Sequence, residues 1–189
     1  MTSWSSGSSA GWKGTSSSSG EATWCIASRG SISRSWSRTV IGNHEVALLE
    51  GERSATHDVV RRQLGASLGQ WLAWLGSRPF FIREDGYILV HAGIAPGKRP
   101  EQCTRSELTE IRTVDGRPWF DFWPGPETVI FGHWAQRGKV DLPLCKGLDT
   151  GCVYGGRLTG LWWPRLEWVS VPARRRWFER AGPASRLTS

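Results

Sequence analysis

Three short apolar runs, each ending at a glycine or histidine, constrain this chain more than any other feature. Thr39-Val40-Ile41 stops at Gly42-Asn43-His44-Glu45, Tyr87-Ile88-Leu89-Val90 at His91-Ala92-Gly93-Ile94, and Thr128-Val129-Ile130-Phe131 at Gly132-His133-Trp134. Runs of four β-branched or aromatic residues bounded by turn formers read as strands. A strand that is apolar throughout, like 87–90, is expected to be covered on both faces. Polar clusters just past such strands fall on the loops where sheet proteins gather binding residues. Histidine is the commonest side-chain metal ligand, an Asn carbonyl oxygen suits a hard divalent ion, and neighbouring glycines allow close backbone approach. One histidine after a strand is ordinarily a hydrogen-bonded structural residue. Here three of the chain's four histidines occupy that position.

The elements between the runs complete an α/β pattern. A helix is expected from His44 through Leu49. A second is expected over 56–76, where Val59, Val60, Leu64, Leu68, Trp71, Leu72 and Leu75 recur at spacings of three and four, with Pro79 limiting it. Phe80–Arg83, the Glu84-Asp85-Gly86 turn and Tyr87–Val90 read as a hairpin. Arg157–Trp163 and Glu167–Val171 read as a last pair of strands around Pro164-Arg165. Strands with intervening helices make a layered α/β domain.

The order and wording of the clusters add a resemblance. Val40–Glu45, Val90–Pro96 and Ile130–Ala135 resemble the third, fourth and fifth signature blocks of the calcineurin-like metallophosphoesterases. Leu148–Thr159 is similar to the closing segment of the bacterial diadenosine tetraphosphatases and their phosphoprotein-phosphatase relatives. The resemblance covers about residues 38–173. It implies a four-layer sandwich of two mixed β-sheets flanked by helices, here N-terminally incomplete. It also implies metal-dependent hydrolysis of a phosphoester or phosphoanhydride, with Asn43, His91 and His133 as ligands of the second of two metals and His44 as general acid. Arg112 would grip phosphate through a bidentate fork, though a surface arginine reads the same way. Tyr154 would stack on a base or fill a gap, and Asp149 is expected to serve as a structural hydrogen-bonding residue. The metals would be drawn from Mn, Fe, Zn and Co, since such a mixed donor set accepts all four. The substrate would be a dinucleoside polyphosphate or, alternatively, a phosphoprotein.

Two blocks that the resemblance calls for, G-D-x-H-G and G-D-x-x-D-R-G, are not in the sequence. They carry the first metal's ligands and the bridging aspartate, so this chain is expected to supply at most three ligands of one metal and to have lost most of its rate. Residues 1–37 differ sharply from the rest: 14 are serine, with Trp4, Trp12, Trp24 and Trp36 at no regular period. Back-translated and shifted by two bases, Glu21–Ala27 permits the codons of Gly-Asp-Leu-Val-His-Arg, close to the second missing block. Residues 1–37 are therefore read as an out-of-frame segment, the alternative being a divergent tail on a degenerate phosphatase. Losing a βαβ unit from the sheet would expose apolar surface, and poor solubility is expected.

Composition sets the remaining bounds. No apolar run approaches the roughly 20 residues that span a bilayer. Cys25, Cys103, Cys145 and Cys152 share no close C-x-x-C spacing. They read as free thiols of a reducing compartment, the cytoplasm. The net charge of +7 would suit nucleic acid, but much of it lies in Arg174, Arg175, Arg176, Arg180 and Arg186, which read as a solvated basic tail over 174–189. A third reading keeps the fold without catalysis, with Arg174–Arg180 holding an acidic partner.

Overall fold

The computed structural model describes residues 38–178. The Ser- and Trp-rich segment 1–37, with Cys25, and the residues beyond 178, with Arg180 and Arg186, lie outside the described residues.

The hairpin forms where the sequence places it. β1 (Phe81–Glu84) and β2 (Tyr87–Val90) pair antiparallel across Asp85-Gly86, and Gly86 adopts φ +84°, the left-handed conformation that glycine tolerates without strain. β3 (Thr113–Val114) and β4 (Arg117–Pro118) pair antiparallel as a separate small hairpin. β5 (Thr128–Phe131) lies parallel to β2, β7 (Cys145–Gly147) parallel to β5, and β6 (Val140–Leu142) closes the far edge antiparallel to β7. The central sheet is thus mixed and five-stranded, in the order β1-β2-β5-β7-β6. Ile88, Leu89, Val90, Val129 and Ile130 are all fully buried, as a doubly covered pair of parallel strands requires.

Side-chain alternation divides the core in two. Ile88, Val90, Val129 and Phe131 face one side, packed with Ile94, Leu108, Trp119 and Phe120. Leu89, Ile130, Ile82 and Leu148 face the other, covered by Leu161 and Trp168 of a second, two-stranded sheet and by Trp163 in its connecting turn. That sheet pairs β8 (Arg157–Trp162) with β9 (Glu167–Pro172). Burying each such aliphatic or aromatic side chain is worth about 1.5–3 kcal/mol, so these two layers carry most of the domain's stability.

Four helices complete the described domain: α1 (Asn43–Leu49), α2 (Ala55–Leu64), α3 (Leu68–Gly76) and α4 (Arg105–Glu110). The single helix expected over 56–76 is broken. A 3-10 turn at Gly65–Ser67 separates α2 from α3, because Gly65 takes φ +48° and leaves helical geometry. The apolar stripe is also only partly covered: no residue of α3 is buried, and Trp71 and Trp74 are exposed. Thr39–Ile41 is not a strand. A strand exists only by pairing, and here the extended chain is held by Ile41 N–H donating to Pro79 O. β6, β7 and α4 were not anticipated. Cys145-Lys146-Gly147 offers no apolar run, and it is buried because Lys146 Nζ donates to Asp141 Oδ1 of the neighbouring strand at 2.7 Å. α4 did carry a readable signal, since Thr104 and Glu107 form a reciprocal capping box.

Candidate metal centre

Parallel pairing of β2, β5 and β7 sends three chain segments out of the same edge of the sheet. The pairing continues one step past the strands: Gly132 N–H donates to His91 O, and Leu148 N–H donates to Phe131 O. His91, His133 and Asp149 therefore begin adjacent loops. The fourth segment, Gly42 with α1, reaches this edge from outside the sheet, seated by the Ile41–Pro79 hydrogen bond.

The loop geometry brings three donor atoms together. Asn43 Oδ1 lies 2.9 Å from His91 Nε2, and His133 Nδ1 lies 3.2 Å from the same atom. The two imidazoles are 5.0 Å apart between centroids, and both are buried. These separations are what donors about 2.1 Å from one ion, and roughly 90–100° apart around it, would have. Two imidazole nitrogens and an amide oxygen also suit a borderline divalent ion chemically. The residues thus fit one metal. Among the described residues no group of three or more His, Cys, Asp or Glu gathers, so the asparagine is essential to the set.

The local sequence explains the placement. Gly42 is extended (φ −107°), which any residue can adopt; its glycine is needed for space, because a Cβ there would stand 2.6 Å from the His91 ring. Glu45 turns back to accept the Gly42 N–H at 3.1 Å, fixing the entry into α1 that carries Asn43. Gly93 has the same function on the next loop, where a Cβ would meet Trp119 at 2.4 Å. His133 has φ +63° and sits inside a Gly132 C=O to Trp134 N–H bond of 2.7 Å, a three-residue turn of the rare, strained kind. Such strain in a bulky residue costs about 1–3 kcal/mol and concentrates where function requires a set direction.

No family model matches the chain. The symmetrical bis(5'-nucleosyl)-tetraphosphatase of Methylococcus capsulatus is 30% identical, over 65% of this chain and 69% of its own length. The symmetrical enzyme of Ralstonia nicotianae is 29% identical, over 65% and 68%. A solved structure named for a diadenosine tetraphosphatase has TM-score 0.58 and 32% identity, covering 71% of this chain and 67% of that one. The chain belongs to the bis(5'-nucleosyl)-tetraphosphatase family of calcineurin-like phosphoesterases.

The other residues singled out from sequence occupy varied positions in this tetraphosphatase-family domain. His44 follows Asn43 on α1 and is exposed, its ring 6.1 Å edge-on from that of His57. His57, buried on α2, was not singled out from sequence; its only signal was being the fourth histidine. Arg112 follows α4, and its carbonyl accepts the Trp119 N–H. Its guanidinium is exposed and, among the described residues, makes no hydrogen bond or ion pair. Among the described residues it makes no hydrogen bond with Asn43, His91 or His133, although α4 itself abuts that loop through Ala92 N–H donating to Leu108 O. Asp149 Oδ1 accepts the Gly151 N–H, the local structural bond expected of it. Tyr154 lies half-buried in the 3-10 turn Cys152–Tyr154, edge-on to Phe178 at 6.3 Å.

Proposed function

We propose that this chain is a metal-dependent phosphohydrolase whose substrate is a dinucleoside tetraphosphate, as the names of its relatives indicate for them. The observation that carries the reading is the convergence of Asn43 Oδ1, His91 Nε2 and His133 Nδ1. These three residues would hold a divalent ion of the Mn, Fe, Zn or Co class, which would polarise a phosphoryl oxygen. His44 is the residue assigned to give a proton to the departing oxygen, since it is exposed and follows the ligand Asn43 directly. Arg112 is assigned to grip a non-reacting phosphate, for which an exposed and uncommitted guanidinium is suited. Tyr154 is assigned to the rim where a base would stack.

Relatives of both cleavage types resemble the chain, since an asymmetrical enzyme of Halalkalibacterium halodurans is 34% identical over 49% of it. The bond cleaved is therefore an outcome of the assay. Among the described residues no helix is long and apolar enough to cross a membrane, and Cys103, Cys145 and Cys152 are free thiols, in keeping with a cytoplasmic enzyme.

The test is turnover of diadenosine tetraphosphate, and Mn²⁺ binding by calorimetry, for the full chain and for His91→Ala. Turnover is expected to be slow and Mn²⁺-dependent, with both turnover and Mn²⁺ binding lost in the variant. A chain that hydrolyses a phosphopeptide but not the dinucleotide would overturn the substrate. Equal Mn²⁺ binding by chain and variant would overturn the site.

A further inference from the structure

The segment that follows β9 reads from sequence as a basic tail, yet as far as Phe178 it is fastened to the site's third loop. Ala173 N–H donates to Gly156 O at 2.9 Å, and the N–H groups of Trp177 and Phe178 both donate to Val153 O at 2.9 and 3.1 Å. That loop is itself well held. Asp149 caps Gly151, Thr150 Oγ1 donates to Arg157 O at 2.6 Å, and Gly151 pairs with Arg157. It leaves the sheet beside the His133 loop, since Phe131 is paired with Gly147 and bonded to Leu148. The strap is therefore fastened to the loop that follows Leu148, which leaves the same end of the sheet as the His133 loop.

Among the described residues its charge is uncompensated. Arg174, Arg175 and Arg176 are consecutive and exposed, and among the described residues none of them makes an ion pair. Arg175 lies over the Trp177 ring at 3.8 Å, which orders the guanidinium while leaving its N–H fork at the rim. Arg176 is anchored by its backbone, which packs against Gly155. Three adjacent positive charges on a fastened segment carry a repulsive cost that a multiply charged anion would relieve.

We infer that Arg174, Arg175 and Arg176 form a distal polyphosphate subsite, taking the part of the substrate's phosphate chain that extends beyond the donor cluster. Guanidinium forks match phosphate oxygens in pairs, so a polyphosphate is held by direction as well as by charge. The subsite discriminates by length: a phosphate monoester reaches only the donor cluster and Arg112, whereas a polyphosphate reaches the strap as well. The inference rests on the phosphohydrolase reading for the identity of the ligand, and on the strap's own geometry for its place.

The experiment is binding of inorganic tripolyphosphate in the presence of a chelator, so that only the protein's own cations contribute. It compares the full chain with R174Q/R175Q/R176Q and with His91→Ala. The triple variant is expected to weaken binding about tenfold or more, and to weaken it more than His91→Ala does. All three positions are exposed, so an unchanged thermal midpoint is expected; Arg175→Gln alone, with about a third of the effect on a logarithmic scale, is the second variant. Unchanged binding in the triple variant would overturn the subsite, whether or not the protein hydrolyses anything. Preserved binding loss without diadenosine tetraphosphate turnover would leave the subsite standing and overturn the proposed reaction. Tighter binding of a single-stranded oligonucleotide than of tripolyphosphate, lost in the same variant, would overturn the assignment in favour of a nucleic-acid surface.

Discussion

His91 Nε2 faces Asn43 Oδ1 at 2.9 Å and His133 Nδ1 at 3.2 Å, although 48 residues separate it from one and 42 from the other. A ring nitrogen carries at most one proton, so it cannot donate to both neighbours at once. A shared cation satisfies all three donors together. That relationship is set by what surrounds it, and the surroundings can be varied.

Gly42→Ala is expected to displace the His91 ring. The new Cβ would lie 2.6 Å from two ring atoms and 2.9 Å from Glu45 Oε2, and a buried imidazole has little room to retreat. Loss of ligand orientation of this kind typically costs about 10- to 100-fold in metal affinity. Mn²⁺ calorimetry of the variant checks this; an affinity equal to the parent's would refute the packing account.

Gly93→Ala is expected to destabilise the fold more than the site. Its Cβ would meet Trp119 at 2.4 Å, and Trp119 is 1% exposed at the centre of one core layer, with Phe120 and Phe131 edge-on to it. Overpacking costs about 1–3 kcal/mol. Adding Trp119→Phe should restore part of the loss, because the smaller ring gives way and a buried indole N–H that has no hydrogen-bond partner among the described residues is removed. Urea unfolding reads both effects, and the idea fails if the single variant keeps the parent's midpoint.

Cys145 makes stability fall at alkaline pH. Burial on β7 pushes its thiol up from 9.0 to about 12. Its neutral form is thus favoured in the folded state, and its contribution is fully present below pH 9. It is lost as pH rises from there through about 12, because the unfolded thiol ionises first. Thermal midpoints at pH 8 and pH 10.5, for the parent and for Cys145→Ala, test this. The parent should lose more on the alkaline step, and equal slopes would exclude the thiol as the cause.

The sequence by itself determined the elements whose information is local. Tyr87–Val90 and Thr128–Phe131 are strands because four apolar residues between turn formers have few alternatives, and Gly86 marks the hairpin turn that joins the first pair. The polar clusters at Asn43, His91 and His133 were visible for the same reason: each is a short motif that follows an apolar run. What pairing and packing decide was not visible. Cys145-Lys146-Gly147 became an interior strand through its pairing with β5 and β6, where Asp141 accepts from the buried lysine. Thr39–Ile41 looks like a strand but pairs with no strand among the described residues, and Gly65 divided a helix whose apolar period continues unbroken. The site itself belongs to the tertiary structure. Parallel pairing of β2 with β5 placed His91 beside His133, and a missing Cβ at Gly42 let α1 bring Asn43 to them. Side-chain chemistry is written in the sequence, whereas the 3 Å between donors arises from contacts between segments more than 40 residues apart.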